Sequence, residues 1–194
     1  ATLWQYMSEA VSSGILFDAG RGWYTRHGKP AHLDPKTLGK IIGAVKKAYP
    51  LLDFSCWSTV QFNPFARHLI AQPMTLLYVE IDVLESLAEA LREAGWDAWA
   101  NPTKNVLVQL VHPGEKTVVL RQSITKQPES SNHIAPIEKA MVDLLIESKR
   151  LRLMDITETQ WIIDAILRAG TIYIPILIGY LTRRGLKINS RELT

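Results

Sequence analysis

Residues 74–100, MTLLYVEIDVLESLAEALREAGWDAWA, constrain the fold more than any other stretch of the chain. Residues 74–81 are an apolar, β-branched run, the pattern of a strand covered on both faces. Val83, Leu84, Leu87, Ala88 and Leu91 then recur at helical spacing, with Glu85, Glu89, Arg92 and Glu93 opposite. That spacing predicts an amphipathic helix of about three turns. Gly95 stands where a left-handed residue ends a helix, and residues 96–100 begin another strand. Strand, helix and strand on short connections make a βαβ unit, so an α/β (α+β) protein built around a mixed sheet is expected.

A chain of 194 residues can hold one sizeable core, or a medium domain and a small one. The net charge of +3 permits nucleic-acid binding without demanding it. Cys56, the single cysteine, excludes an internal disulfide framework and fits a reducing cytoplasm, the expected location. Between Phe54 and Trp57 it reads as a small buried apolar group. No run reaches the ~18 uninterrupted apolar residues of a membrane span. The most apolar stretch, 172–181, is interrupted by Pro175 and followed by Arg183 and Arg184, and reads as a buried helix.

Residues 2–13 predict a helix with Leu3, Met7, Ala10 and Val11 inward, Thr2 as its N-cap and Gly14 as its end. Residues 15–17 and 21–26 flank the turn Asp18-Ala19-Gly20 and read as a hairpin. The phrase SSGILFDAGRGWYT resembles the helix, G-[IL]-L, turn, R-G-x-Y ending of the winged helix-turn-helix in AbiEi-like antitoxins of bacterial type IV toxin–antitoxin systems. That family's module binds promoter DNA and represses its own operon. The resemblance implies a recognition helix over residues 3–12, with Thr2, Gln5 and Ser8 toward DNA. It also implies a wing carrying Arg21, Gly22 and Tyr24. Arg26 and Lys29 follow Arg21 closely, so all three cations are expected on DNA phosphate. A complete winged helix has two helices before its recognition helix, and only one residue precedes Thr2, so an N-terminal segment is expected to be missing. The residues alone leave a second reading open, a helix and hairpin packed on the main domain. The expected division is 1–28, the C-terminal part of a winged helix, and 29–194, the main domain.

Asp34-Pro35-Lys36 opens a helix with Leu38, Ile41, Ile42, Val45 and Tyr49 inward and Lys36, Lys40, Lys46 and Lys47 along a solvated flank. A strand at 51–57, a cap at Ser58 or Thr59 and a short helix to Phe65 follow. His68 reads as a capping or core residue, although AbiEi-like chains also carry a His near this place. Residues 106–111 and 117–122, on either side of a turn, read as a β-hairpin. Residues 127–133 read as a loop. A helix over 135–148 is expected to turn Ile137, Ala140, Met141, Leu144 and Leu145 inward. Its phrase APIEKAMVDLL resembles the [ST]-P-E-[KR]-[AT]-x-x-D-L-L helix of AbiEi-like chains, matching at Glu138, Lys139, Asp143 and Leu144 with an Ile inserted after Pro136. The resemblance implies a nucleotidyltransferase-like fold with a helical C-terminal end, formed here by helices at 157–169, capped by Thr157, and at 173–184.

An active nucleotidyltransferase needs a glycine-containing turn for the triphosphate, an acid-x-acid pair for Mg²⁺ and a third carboxylate on a later strand. Glu80 and Asp82 are the only candidate metal pair. The turn Trp57-Ser58-Thr59 has no glycine, and neither predicted later strand carries an acid. Asp82 therefore reads as a helix N-cap and Glu80 as a solvated strand end; no catalytic residue, metal or cofactor is expected. The resulting reading is a non-enzymatic, DNA-binding transcriptional regulator, the antitoxin to a nucleotidyltransferase-type toxin. Its partners would be double-stranded promoter DNA and the cognate toxin, with no membrane. The oligomeric state stays open, a dimer on DNA included. The alternatives are an active metal-dependent nucleotidyltransferase on nucleotide or RNA, and a protein-interaction domain. At the C-terminal end, Lys149, Arg150 and Arg152 close one helix and Arg183 and Arg184 another, with Lys187 beyond. They either complement helix dipoles or, if the two ends meet, form a basic patch.

Overall fold

The sheet at the centre of the molecule runs in the order β3-β4-β6-β5, from β3 (Ser55–Ser58), β4 (Thr75–Val79), β5 (Asp97–Ala100) and β6 (Thr117–Gln122). The computed structural model describes residues 2–70 and 73–186. Strands β4, β5 and β6 are parallel and β3 is antiparallel to β4. All five positions of β4 are buried because both faces of the sheet are covered. Leu77 and Val79 pack with Val118 and Leu120 beneath α2 (Gly39–Ala48) and α3 (Leu84–Glu93). Leu76, Tyr78 and Val119 face the other way, in a cluster with α5 (Ile137–Leu151), α6 (Ile156–Ala169) and α7 (Ile174–Arg183). The protein is thus a mixed α+β fold. Leu77, Leu87 and Leu91 are fully buried, and each contributes roughly 1.5–3 kcal/mol of apolar burial.

The strand–helix–strand reading holds: α3 buries Leu84, Leu87, Ala88 and Leu91, and Gly95 ends it at φ +83. Its two strands are not neighbours, however, since β6 lies between β4 and β5. Beyond β3, residues 131–135 close the edge of the sheet. Cys56 N donates to His133 O at 2.8 Å and Ala135 N to Cys56 O at 2.9 Å.

Several expectations need correction. Residues 106–122 are not a β-hairpin: α4 (Lys104–Leu110) is helical, and β6 pairs with β4 and β5 in parallel. After β5 the chain must return to run parallel again, which needs a crossover rather than a tight turn. The alternation in NVLVQL is short enough to serve as helical turns. Asp82 does not cap α3 with its side chain; it lies inside a 3-10 turn, Ile81–Val83, that leads into the helix. Asp155, not Thr157, caps α6, its carboxylate accepting from Thr157 N. The first helix, α1 (Leu3–Ser12), has no buried residue; Leu3 is 78% exposed, and Met7 and Ala10 are only partly covered.

Candidate nucleic-acid interface

Helix α1 is preceded by its N-cap Thr2, whose backbone N–H donates to Gln5 Oε1 at 2.7 Å. Its turn into the hairpin is compact, with Ile15 N and Leu16 N both on Ala10 O. Strands β1 (Phe17–Asp18) and β2 (Tyr24–Thr25) then pair antiparallel, Phe17 opposite Thr25 and Asp18 opposite Tyr24. Asp18 Oδ1 accepts from Gly20 N at 2.7 Å, and Ala19 N donates to Trp23 O at 2.8 Å. Arg21 takes φ +42 at the tip.

The module is held to the body by residues 171–174. Ile174 N donates to Ala19 O at 3.1 Å, Thr171 N to Lys29 O at 2.8 Å, and Thr171 Oγ1 to His27 O. Gly20 sits at φ +93 directly against Tyr173; a Cβ there would come within 2.6 Å of the ring. Only glycine satisfies both the conformation and the contact.

Of the six residues expected at DNA, Thr2, Gln5 and Ser8 lie exposed along α1, and Arg21, Arg26 and Lys29 lie exposed in and after the hairpin. Gln5 is partly committed to the cap of its own helix. Among the described residues none of the three cations joins an ion pair. The structure brings Ser8 and Arg21 together with Trp4, Val11, Asp18 and Tyr24 around a shallow cavity of about 450 Å³ between helix and hairpin. Trp4 (78% exposed), Tyr6, Ile15 and Trp23 leave the same module with much apolar surface in solvent.

The α5 helix departs most from expectation. Ile137, Ala140, Met141 and Leu144 are buried and Leu145 is partly so, but Glu138, Lys139, Asp143 and Glu147 are buried too. Lys139 Nζ lies 2.6 Å from Asp143 Oδ2, 3.3 Å from Tyr180 Oη and 3.5 Å from the centre of the Tyr78 ring. Tyr180 Oη donates to Asp143 Oδ1 at 2.9 Å. Burial lowers the Lys139 pKa against the opposing pull of Asp143. Burial also raises the phenols of Tyr78 and Tyr180, with Asp143 adding to both. One turn further on, Glu147 Oε2 takes Arg121 Nε and Nη2 at 3.1 and 2.8 Å. Tyr78 and Arg121 are register partners on β4 and β6, so the network lies across the sheet–helix interface. Lys139, Asp143 and Glu147 recur every four residues, a single helical stripe of charge that lies inside the protein.

This stripe also alters the expected basic patch. Arg184 is turned inward, Nη2 3.5 Å from Asp143 Oδ1 with its side chain 10% exposed, and Arg150 is paired with Glu147 at 3.2 Å. Arg184 thus meets the middle of α5 rather than its end. Arg183 is exposed, and Lys149 and Arg152 are exposed at and after the end of α5. Lys187 lies outside the described residues. Glu80 and Asp82 are exposed after β4, and no third His, Cys, Asp or Glu joins them among the described residues. His68 is exposed; its neighbour Arg67 stacks on Trp161 at 3.5 Å. Cys56 is buried, and desolvation pushes its thiol up to about 12. No helix among the described residues is long and apolar enough to cross a membrane.

A family model described as "Family of unknown function (DUF6577)" matches residues 2–194. No curated protein and no solved structure matches the chain.

Proposed function

We propose, for a chain that belongs to the DUF6577 family of unknown function, a role as a DNA-binding transcriptional regulator. It would act as the antitoxin of a type IV toxin–antitoxin system, repressing its own promoter and countering a nucleotidyltransferase-type toxin. The observation that carries the reading is the helix–hairpin unit itself. Helix α1 has no buried residue, and Arg21, Arg26 and Lys29, in and after the two-stranded hairpin that follows, lie in solvent without ion-pair partners among the described residues. A helix for the major groove beside a hairpin for the backbone is a known docking arrangement, in which phosphate contacts orient the reader. The resemblances at residues 12–25 and 135–145 add the antitoxin role. In this reading the body is non-catalytic, and Glu80 and Asp82 are solvated charges.

The test is binding of the chain to its own promoter fragment across a salt series. Each phosphate contact contributes about 0.9 to the slope of log K against log salt. The Arg21→Ala, Arg26→Ala, Lys29→Ala triple variant should flatten that slope by roughly three. An unchanged slope rejects the module as the DNA contact.

A further inference from the structure

Positive charge is concentrated between Asp18 and Asp53. Arg21, Arg26, Lys29, Lys36, Lys40, Lys46 and Lys47 stand there against one acid, Asp34, a surplus of six in a chain whose net charge is +3. Asp34 is engaged locally, its Oδ1 accepting from Lys36 N at 3.0 Å. Four of the seven cations fall on α2 and the 3-10 turn that opens it, Pro35–Leu38. At about 100° per residue, Leu38, Ile41 and Val45 share one side, and all three are buried against the sheet. Lys36, Lys40, Lys46 and Lys47 lie on the other side, exposed to solvent. None of them is in an ion pair among the described residues, and no acid lies on α2 to neutralise them.

We propose that this lysine face of α2 is a second docking surface for the phosphate backbone of duplex DNA, separate from the hairpin. The fit is one of charge and shape. The twelve residues from Lys36 to Lys47 span about 17 Å of helix, beside a duplex that carries one charge per ~1.7 Å of axis. Gly39 and Gly43 lie on the same face, and a Cβ at either would meet nothing within 4 Å. Packing within the chain therefore gives no reason for glycine at two positions where alanine would favour the helix. A smooth strip among lysines lets a phosphate backbone approach the helix closely. The choice of duplex DNA rests on the function proposed above; the charge surplus does not.

The experiment uses the full chain and a labelled duplex of unrelated sequence, with binding followed by anisotropy from low to moderate salt. Replacing Lys40, Lys46 and Lys47 by Gln leaves the buried side of α2 intact. It should weaken binding most strongly at low salt and flatten the salt slope by roughly three. Gly43→Ala should raise the melting temperature and still weaken binding, which separates lost contact from lost fold. A lysine variant with unchanged slope overturns the proposal, as does one that keeps duplex binding but loses binding to polyglutamate. Binding that survives Gly43→Ala at full strength overturns the close approach. If the hairpin triple variant keeps its promoter slope while the α2 variant loses its own, the module fails as the DNA contact and the lysine face stands.

Discussion

Lys139 and Asp143 face each other one turn apart on α5, Nζ to Oδ2 2.6 Å, and neither side chain has any exposure to solvent. An ion pair so placed holds only while both members are present. Desolvation makes either charge alone costly, while replacing the pair with apolar side chains can be neutral.

Asp143→Ala is therefore expected to destabilise the fold by about 3–5 kcal/mol, because it strands the Lys139 ammonium and removes an acceptor from Tyr180. Lys139→Met combined with Asp143→Leu should recover most of that loss. Urea denaturation of the three proteins checks this; a double variant as weak as the single one contradicts it.

The two arginines at the end of α7 should separate sharply under charge reversal. Arg183 is exposed, whereas Arg184 is turned onto the buried Asp143. Arg183→Glu should leave the melting temperature near that of the parent, and Arg184→Glu should lower it strongly by setting two carboxylates together. Equal shifts would mean that Arg184 does not face Asp143.

Cys56 links stability to alkaline pH. Its thiol is raised by burial to about 12 from an ordinary 9.0, so the folded state keeps a proton that the unfolded chain releases. That contribution is complete below pH 9 and is lost as pH rises toward 12, at about 1.4 kcal/mol per pH unit. Tyr78 and Tyr180 act in the same direction, and Lys139, whose pKa is lowered, acts in the opposite one. The stability difference between the parent and Cys56→Ala should therefore narrow steadily above pH 9. A constant difference would show that the thiol is not buried.

Gly20→Ala should release the hairpin from the body. The added methyl meets the Tyr173 ring in a backbone conformation that alanine disfavours. Limited proteolysis should then cut between residues 26 and 32 much faster, while the melting of the sheet core changes little. Pairing the change with Tyr173→Ala should remove the clash and slow the cutting again.

Much of this architecture could be read from residue order. Leu84, Leu87, Ala88 and Leu91 announce the face of α3, and Gly95 announces its end, because both signals are local. Residues 104–110 were illegible for a physical reason. A short alternating apolar run satisfies helix and strand alike, and only the need to re-enter the sheet in parallel decides between them. The buried charges of α5 were hidden for another. Lys139 and Glu147 look like solvent residues until Tyr180 from α7 and Arg121 from β6 arrive to meet them, and such long-range partners leave no local mark. At the proposed interface the helix and hairpin were legible, yet the exposure of Leu3 was not. Periodicity shows that a face is apolar but not what covers it.

The strand order also sets when the molecule can complete itself during synthesis. β4 and β5 emerge early but share no hydrogen bonds; each pairs with β6, which leaves the ribosome last of the four strands. A nascent chain that stops before Thr117 lacks the strand that joins β4 to β5, so neither can complete its pairing. Domains that wait on such distant pairings fold slowly and depend on protection while they wait.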